Sequence, residues 1–247
     1  MITRNGIPIA APIVEMIVAV GMLILSIRII QKYLQKKNRI TLYLALTFVS
    51  YTIAVFSTAI GKCLQFGIQM APNHIIYYSD MTIILGYIFT ALANIFLIPF
   101  IDQIFLNIGN LIALPVTISN GIAIGLFIPA LSVEKNAYAK AFPIVIFHVI
   151  NTMFVMILLS YLAFIERRKN KEEKLARMGF LFIGLFGVFI MLMFISFALD
   201  LLILSLTSIT GYTPFYYLSW FFALIGLFSG YLGYIMPPWF KKLLHIK

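Results

Sequence analysis

Seven stretches of roughly 20 or more predominantly apolar residues run along the chain, each long enough to cross about 30 Å of hydrocarbon at 1.5 Å per residue. At about 22 residues each they take up roughly 154 positions. No interval between them exceeds about 14 residues, whereas a separate catalytic or nucleic-acid-binding domain needs at least about 50. Composition agrees: the 247 residues are 62% hydrophobic and 11% charged, against about 45–50% and about 25% in soluble domains. The lone cysteine, Cys63, excludes an internal disulfide. The chain reads as an all-α, polytopic membrane protein, a bundle of seven transmembrane helices.

The expected spans are 9–30, 40–60, 75–101, 111–131, 141–165, 178–206 and 212–236, in one domain covering 1–247, followed by a short interfacial cytoplasmic tail at 237–247. Pro8 and Pro12 open the first span, where a missing N–H costs nothing. That span lacks the basic start of a signal peptide and is expected to be retained. Lysine and arginine set the orientation, because they are kept on the cytoplasmic side of short loops. Fourteen of the eighteen basic residues lie between spans one and two, between spans five and six, and after span seven. Only Arg4, Lys62, Lys135 and Lys140 lie on the other side. The amino terminus is therefore expected outside and the carboxyl terminus inside a cell membrane. The connection at 102–110 carries no basic residue and adds nothing either way. Topology accounts for the net charge of +10 without a nucleic-acid partner; the expected partner is the lipid bilayer.

In the seventh span, Ser219, Ala223, Gly226, Gly230 and Gly233 recur at steps of four and three and share one helix face. Small residues let backbones approach, which is how helices associate in lipid. Gly121 and Gly125 repeat the spacing in the fourth span. Packing inside the protomer is expected for both, and the oligomeric state stays open. Pro99 and Pro115 mark points where a helix loses a hydrogen bond. Beyond Pro237 and Pro238, Trp239, Lys241 and Lys242 have the character of a membrane-surface anchor.

Ionisable residues inside apolar spans are functional candidates by default. Counted from the cytoplasmic helix ends, Glu15 stands about 20 Å above Arg28, Asn151 about 22 Å and His148 about 27 Å above Glu166. Asp80, Asp200 and Lys62 stand about 33–34 Å up. This common depth points to an outward cavity for a small polar or cationic ligand, lined by Glu15, His148 and Asn151, with Asp80 and Asp200 at its mouth. A direct Glu15–His148 pair would respond to external pH, because free histidine titrates near about 6.5. Without that pair, Glu15 needs a proton, a cation or water. Asn94 and Asn151 are expected to hydrogen-bond between helices.

Familiar chemistries leave no trace. The last span has no lysine for a retinal Schiff base, and His74, His148 and His245 are too dispersed to hold zinc. No His-Glu-x-x-His, Gly-x-Ser-x-Gly or phosphate-cradling glycine loop occurs. No enzyme activity, metal or cofactor is expected.

Seven spans with an external amino terminus, short loops and a final Gly233-Tyr-Ile-Met-Pro-Pro-Trp239 resemble the seven-helix membrane regions of prokaryotic, especially archaeal, sensors, some of them fused to histidine kinases. The resemblance implies sensing across a membrane, here without a cytoplasmic output domain and therefore through a separate cytoplasmic signalling protein. The likeness to G-protein-coupled receptors stops at helix count: Gln103 and Ile104, not Arg-Tyr, follow Asp102, and no Asn-Pro-x-x-Tyr ends the seventh span. Two alternatives remain open, a small transporter or channel for an ion, proton or polar solute, with Glu15 and His148 handling it, and a membrane accessory protein.

The charge count predicts that a single cysteine introduced at Lys171 is labelled only from the cytoplasmic side and one at Lys135 only from outside. Labelling of both from one side contradicts seven crossings.

Overall fold

The computed structural model describes residues 3–4, 7–67, 72–106, 111–131, 137–170, 172–206 and 212–244, with side chains described for all but 3–4, 72–80, 137–142, 201, 204 and 205. Lys135, Lys171, His245 and Lys247 thus lie outside the described residues, as do the side chains of His74, Asp80 and Lys140.

Seven long helices dominate: α1 (Ala10–Lys36), α2 (Arg39–Gly67), α3 (Pro72–Ile101), α4 (Ala113–Ala130), α5 (Ala137–Lys169), α6 (Lys174–Leu206) and α7 (Pro214–Ile235). Each is long and apolar enough to cross a membrane. A short helix, α8 (Pro238–Leu243), follows. Several helices outrun their apolar stretches, most of all α1, α2 and α5. Polar and charged side chains at their ends can reach an interface while the backbone stays helical.

The terminations follow local chemistry. α1 stops at Lys37, whose φ of 49° puts it in the left-handed region, with its N–H bonded to the Tyr33 carbonyl. Asn38 then starts α2 by accepting the Thr41 N–H at 2.8 Å. α7 opens on Thr213, whose hydroxyl accepts the Phe215 N–H, with Pro214 in the first turn. It ends at Met236, φ 50°, before Pro237. Pro115 sits in the first turn of α4, where it removes no helical bond. Pro99 is internal to α3, and the helix widens just beyond it into a π-helical turn, Asp102–Leu106. The 102–110 segment, read as connection, thus begins with an extension of the third helix that buries Asp102.

Helix contacts close a ring in the order α1, α2, α3, α5, α6, α7 and back to α1, with α4 applied outside against α3 and α5. A small element absent from the sequence reading precedes it: β1 (Thr3–Arg4) pairs antiparallel with β2 (Ile7–Pro8), and Ile7 packs in a cluster with Ala11, Val18, Tyr216 and Trp220. Toward the other end, Phe48, Phe100, Phe186 and Tyr234 fill the ring, with the Tyr234 ring 5.4, 5.7 and 6.1 Å from those of Phe48, Phe100 and Phe186.

The small-residue face of α7 packs within the protomer, against α6. A Cβ on Gly226 would lie 3.3 Å from Ile190 Cδ1, one on Gly230 3.1 Å from Phe186 Cδ2, and one on Gly233 2.9 Å from the Ile183 backbone nitrogen. The expectation for α4 is corrected: a Cβ on Gly121 or Gly125 would meet nothing within 4 Å, because both sit on the exposed face between Ile118, Ile122 and Leu126. Spacing places glycines on one face without saying which way that face turns.

Replacing Gly233 by leucine should therefore lower stability in detergent by about 1–3 kcal/mol, the range for overpacking against a backbone that cannot yield. Gly125→Ala should leave it unchanged or raise it by up to about 1 kcal/mol through helix propensity. Thermal unfolding of the two variants in one detergent distinguishes these outcomes.

Candidate functional site

The polar side chains of the apolar spans gather in two groups. The first lies toward the amino-terminal end of the ring and centres on Glu15, only 2% exposed. The Tyr216 hydroxyl donates to Glu15 Oε1, tying α1 to α7. Thr58 on α2 faces the same carboxyl, but its hydroxyl donates to the Val55 carbonyl at 2.9 Å. Among the described residues, Glu15 Oε2 is left with no hydrogen-bond partner. Lys62, one turn beyond Thr58, interacts electrostatically with Glu15. Its Nζ stands 5.1 Å from the centroid of the Tyr212 ring, a cation–π contact. Tyr212, Tyr216, Tyr217, Trp220 and Phe197 form a continuous aromatic wall, with Tyr212 and Tyr216 centroids 4.5 Å apart and Phe197 and Trp220 5.5 Å apart.

One helical turn inward, the walls are apolar. Val18 lies three residues after Glu15, Ala54 four before Thr58, Met193 four before Phe197 and Trp220 four after Tyr216, and all four line an internal cavity of about 70 Å³. Tyr51, Thr90 and Phe186 also contribute to its lining. Glu15 is therefore one helical turn from a residue of this apolar lining, Val18, and Ile7 of the hairpin packs in the same cluster as Val18, Tyr216 and Trp220.

The second group lies between α2, α3, α4 and α5 and is fully enclosed. Asn94 Nδ2 donates to Asn120 Oδ1 at 3.2 Å and to Thr152 Oγ1 at 2.9 Å, while its Oδ1 accepts the Tyr51 hydroxyl at 3.2 Å. Thr152 Oγ1 stands 3.5 Å from His148 Nε2. The imidazole meets the rings of Tyr87 and Phe127 edge-on, at 5.5 and 5.9 Å, and its Nδ1 has no hydrogen-bond partner among the described residues. Asn151 Oδ1 accepts from Ser119 at 2.8 Å and fastens α4 to α5.

The predicted site residues therefore separate. Glu15 packs among α1, α2 and α7, whereas His148 packs among α3, α4 and α5, and no hydrogen bond or ion pair among the described residues joins them. Asp200 Oδ1 accepts both the N–H and the hydroxyl of Thr213, at 3.1 and 2.5 Å, so this oxygen secures the start of α7. The side chain of Asp80 lies outside the described ones. Asn94 makes the interhelical bonds expected of it. The sequence reading passed over Tyr216, Tyr212 and Trp220, which looked like ordinary apolar-span aromatics, and Tyr51, Asn120 and Thr152. Asn120 carried a usable signal, being an amide within an apolar run.

Among the described residues, no three His, Cys, Asp or Glu side chains converge as a metal site requires. No protein-family model, curated protein or solved structure matches the chain.

Asn94→Ala leaves the Tyr51 hydroxyl and the Asn120 amide without their partner. It should cost about 1–2 kcal/mol of stability in detergent, toward the upper end for interhelical bonds in membranes. Equal unfolding temperatures for the variant and the parent would show that the network carries no stability.

Proposed function

We propose that the chain is a receptor-like sensor of the cell membrane, with its amino terminus outside and its carboxyl terminus in the cytoplasm, which binds a small amphiphilic cation at Glu15. A separate cytoplasmic protein takes up the signal, in keeping with the resemblance to prokaryotic seven-helix sensors. The observation that carries the ligand reading is the Glu15 carboxyl: it is buried against Tyr216 of the aromatic wall, has one oxygen free of hydrogen bonds among the described residues, and lies one helical turn from residues that line the apolar chamber. An ammonium group answers the carboxyl and the ring faces, and a short alkyl chain answers the chamber. The chamber has about half the roughly 150 Å³ of a cavity that admits benzene, so the chain must be only a few carbons long. Lys62, resting over Tyr212, is a tethered cation of the same chemistry.

Sensing is favoured over transport by the far half of the ring. There the rings of Phe48, Phe100, Phe186 and Tyr234 pack on one another and the nearby Ser26 and Thr52 hydroxyls bond to each other and to the Phe48 carbonyl, whereas a conduction path needs accessible polar groups along its length.

Titration with n-butylammonium, read by the fluorescence of Trp220 in a Trp239→Phe background, tests the reading. Saturable binding is expected, lost by about tenfold to a hundredfold in Glu15→Gln, the scale of a hydrogen bond to a charged group. The neutral n-butanol should bind no better to the parent than to the variant. Equal affinity of parent and variant for the cation overturns the ligand class, and uptake of the cation into proteoliposomes overturns sensing in favour of transport.

A further inference from the structure

At the opposite end of the ring, α1 reaches α7 through a half-buried lysine. Lys32 Nζ donates to the Tyr234 carbonyl at 2.5 Å. Tyr234 is the penultimate residue of α7, and its carbonyl is among the last four, which lack an intrahelical donor. An ammonium there also meets the negative end of the helix dipole. The chain then turns through Met236 and Pro237 into α8, which carries Lys241. Lys36, one turn beyond Lys32 on α1, and Lys241 both interact electrostatically with Lys32. Lys32 therefore holds the helix end directly, with the charges of Lys36 and Lys241 within electrostatic reach of it.

Like charges brought together repel, and two releases are closed to this cluster. Lys169–Glu166 is the one ion pair among the described residues, so none of the three lysines has a carboxylate partner there. Nor is α8 free to swing away. The Phe240 ring packs 5.3 Å from that of Phe182, and Lys174 Nζ holds the Leu244 carbonyl at 2.5 Å. An anion supplied from outside the chain removes the repulsion. The surroundings select its kind: Trp239 and Leu243, one turn apart on α8, are 49% and 68% exposed, so an apolar surface suited to acyl chains adjoins the cluster.

We propose that Lys32, Lys36 and Lys241 form a binding site for the phosphate of an anionic phospholipid, seated at the junction of α1, α7 and α8 with its acyl chains beside Trp239 and Leu243. The site is independent of the ligand reading at Glu15. It differs from general attraction to a charged leaflet because it rests on one lysine fixed at the Tyr234 carbonyl and two particular lysines that act on its charge. Lys32 fixes the geometry, while Lys36 and Lys241 supply charge free of protein partners. A lipid seated there bridges the first and last helices of the ring.

Native mass spectrometry of the full chain in detergent tests this with dioleoyl phosphatidylglycerol and dioleoyl phosphatidylcholine at equal concentration. The anionic lipid should be retained preferentially, and Lys36→Gln and Lys241→Gln should each reduce that retention about fivefold, the effect of one lysine near an anionic headgroup. Lys36→Arg should restore it. Lys169→Gln, which removes a cation already paired with Glu166, should leave it unchanged. Equal retention of the two lipids, or an equal loss in Lys169→Gln, overturns the site. Glycerol phosphate binding as strongly as the whole lipid overturns the lipid assignment in favour of a free phosphate ester. Lys36 is exposed and Lys241 half-exposed, and unfolding temperatures matching the parent are expected to confirm that lost retention is not lost folding.

Discussion

The contact on which the ring depends is the approach of α7 to α6 through Gly226, Gly230 and Gly233. At Gly233 a Cβ would already stand 2.9 Å from a backbone nitrogen of α6, so the two helices meet main chain to main chain. In hydrocarbon no water is released when apolar faces meet, and close packing must supply the attraction instead. With α7 held there, its other side reaches α1. Leu227 fills the space left by Gly21, Tyr216 bonds Glu15, and Lys32 bonds the Tyr234 carbonyl. Those three contacts close the ring at three heights. Glu15 with Tyr216 and Lys32 with the Tyr234 carbonyl lie along this seam between the first and last helices, and the cavity lies beside it within the ring, lined also by α2, α3 and α6.

The ring is not uniform along its axis. Toward the amino-terminal end its lining is carboxyl, hydroxyl and aromatic; midway it opens into the apolar chamber; toward the carboxyl-terminal end it is filled by packed rings. The enclosed Asn94 network holds α2, α3, α4 and α5 together beside it and spends its polar groups on one another. That network is structural in character because nearly every group in it has a partner. Among the described residues, unpartnered buried atoms remain in both groups, Glu15 Oε2 in the first and His148 Nδ1 and Asn151 Nδ2 in the second. Glu15 and Lys32 lie on the same helix, and each is hydrogen-bonded to α7.

Much of the architecture was legible because each helix satisfies its own backbone. In lipid the hydrogen bonds of a span are local, so an apolar run of sufficient length announces a helix whatever surrounds it. The face of α7 was legible for a related reason: five small residues at steps of three and four have no better use than close packing. The depth of Glu15 and His148 could be counted from the helix ends, but depth is one coordinate. The azimuth that sends Glu15 toward Tyr216 and His148 toward Phe127 is set by neighbouring helices, and no spacing within α1 or α5 records it.

By itself the sequence determined that this is a chain of seven membrane-length helices, where their apolar cores lie, and that the last one carries a face for close packing. Each of those properties depends on residues near one another in the chain. Only the tertiary structure decided that α4 stands outside the ring with Gly121 and Gly125 turned outward, that Glu15 meets Tyr216 rather than His148, and that Lys32 holds the end of α7. Those outcomes turn on which helices become neighbours. That choice is made by the summed packing of whole helix faces, and it joins residues as far apart as Glu15 and Tyr216.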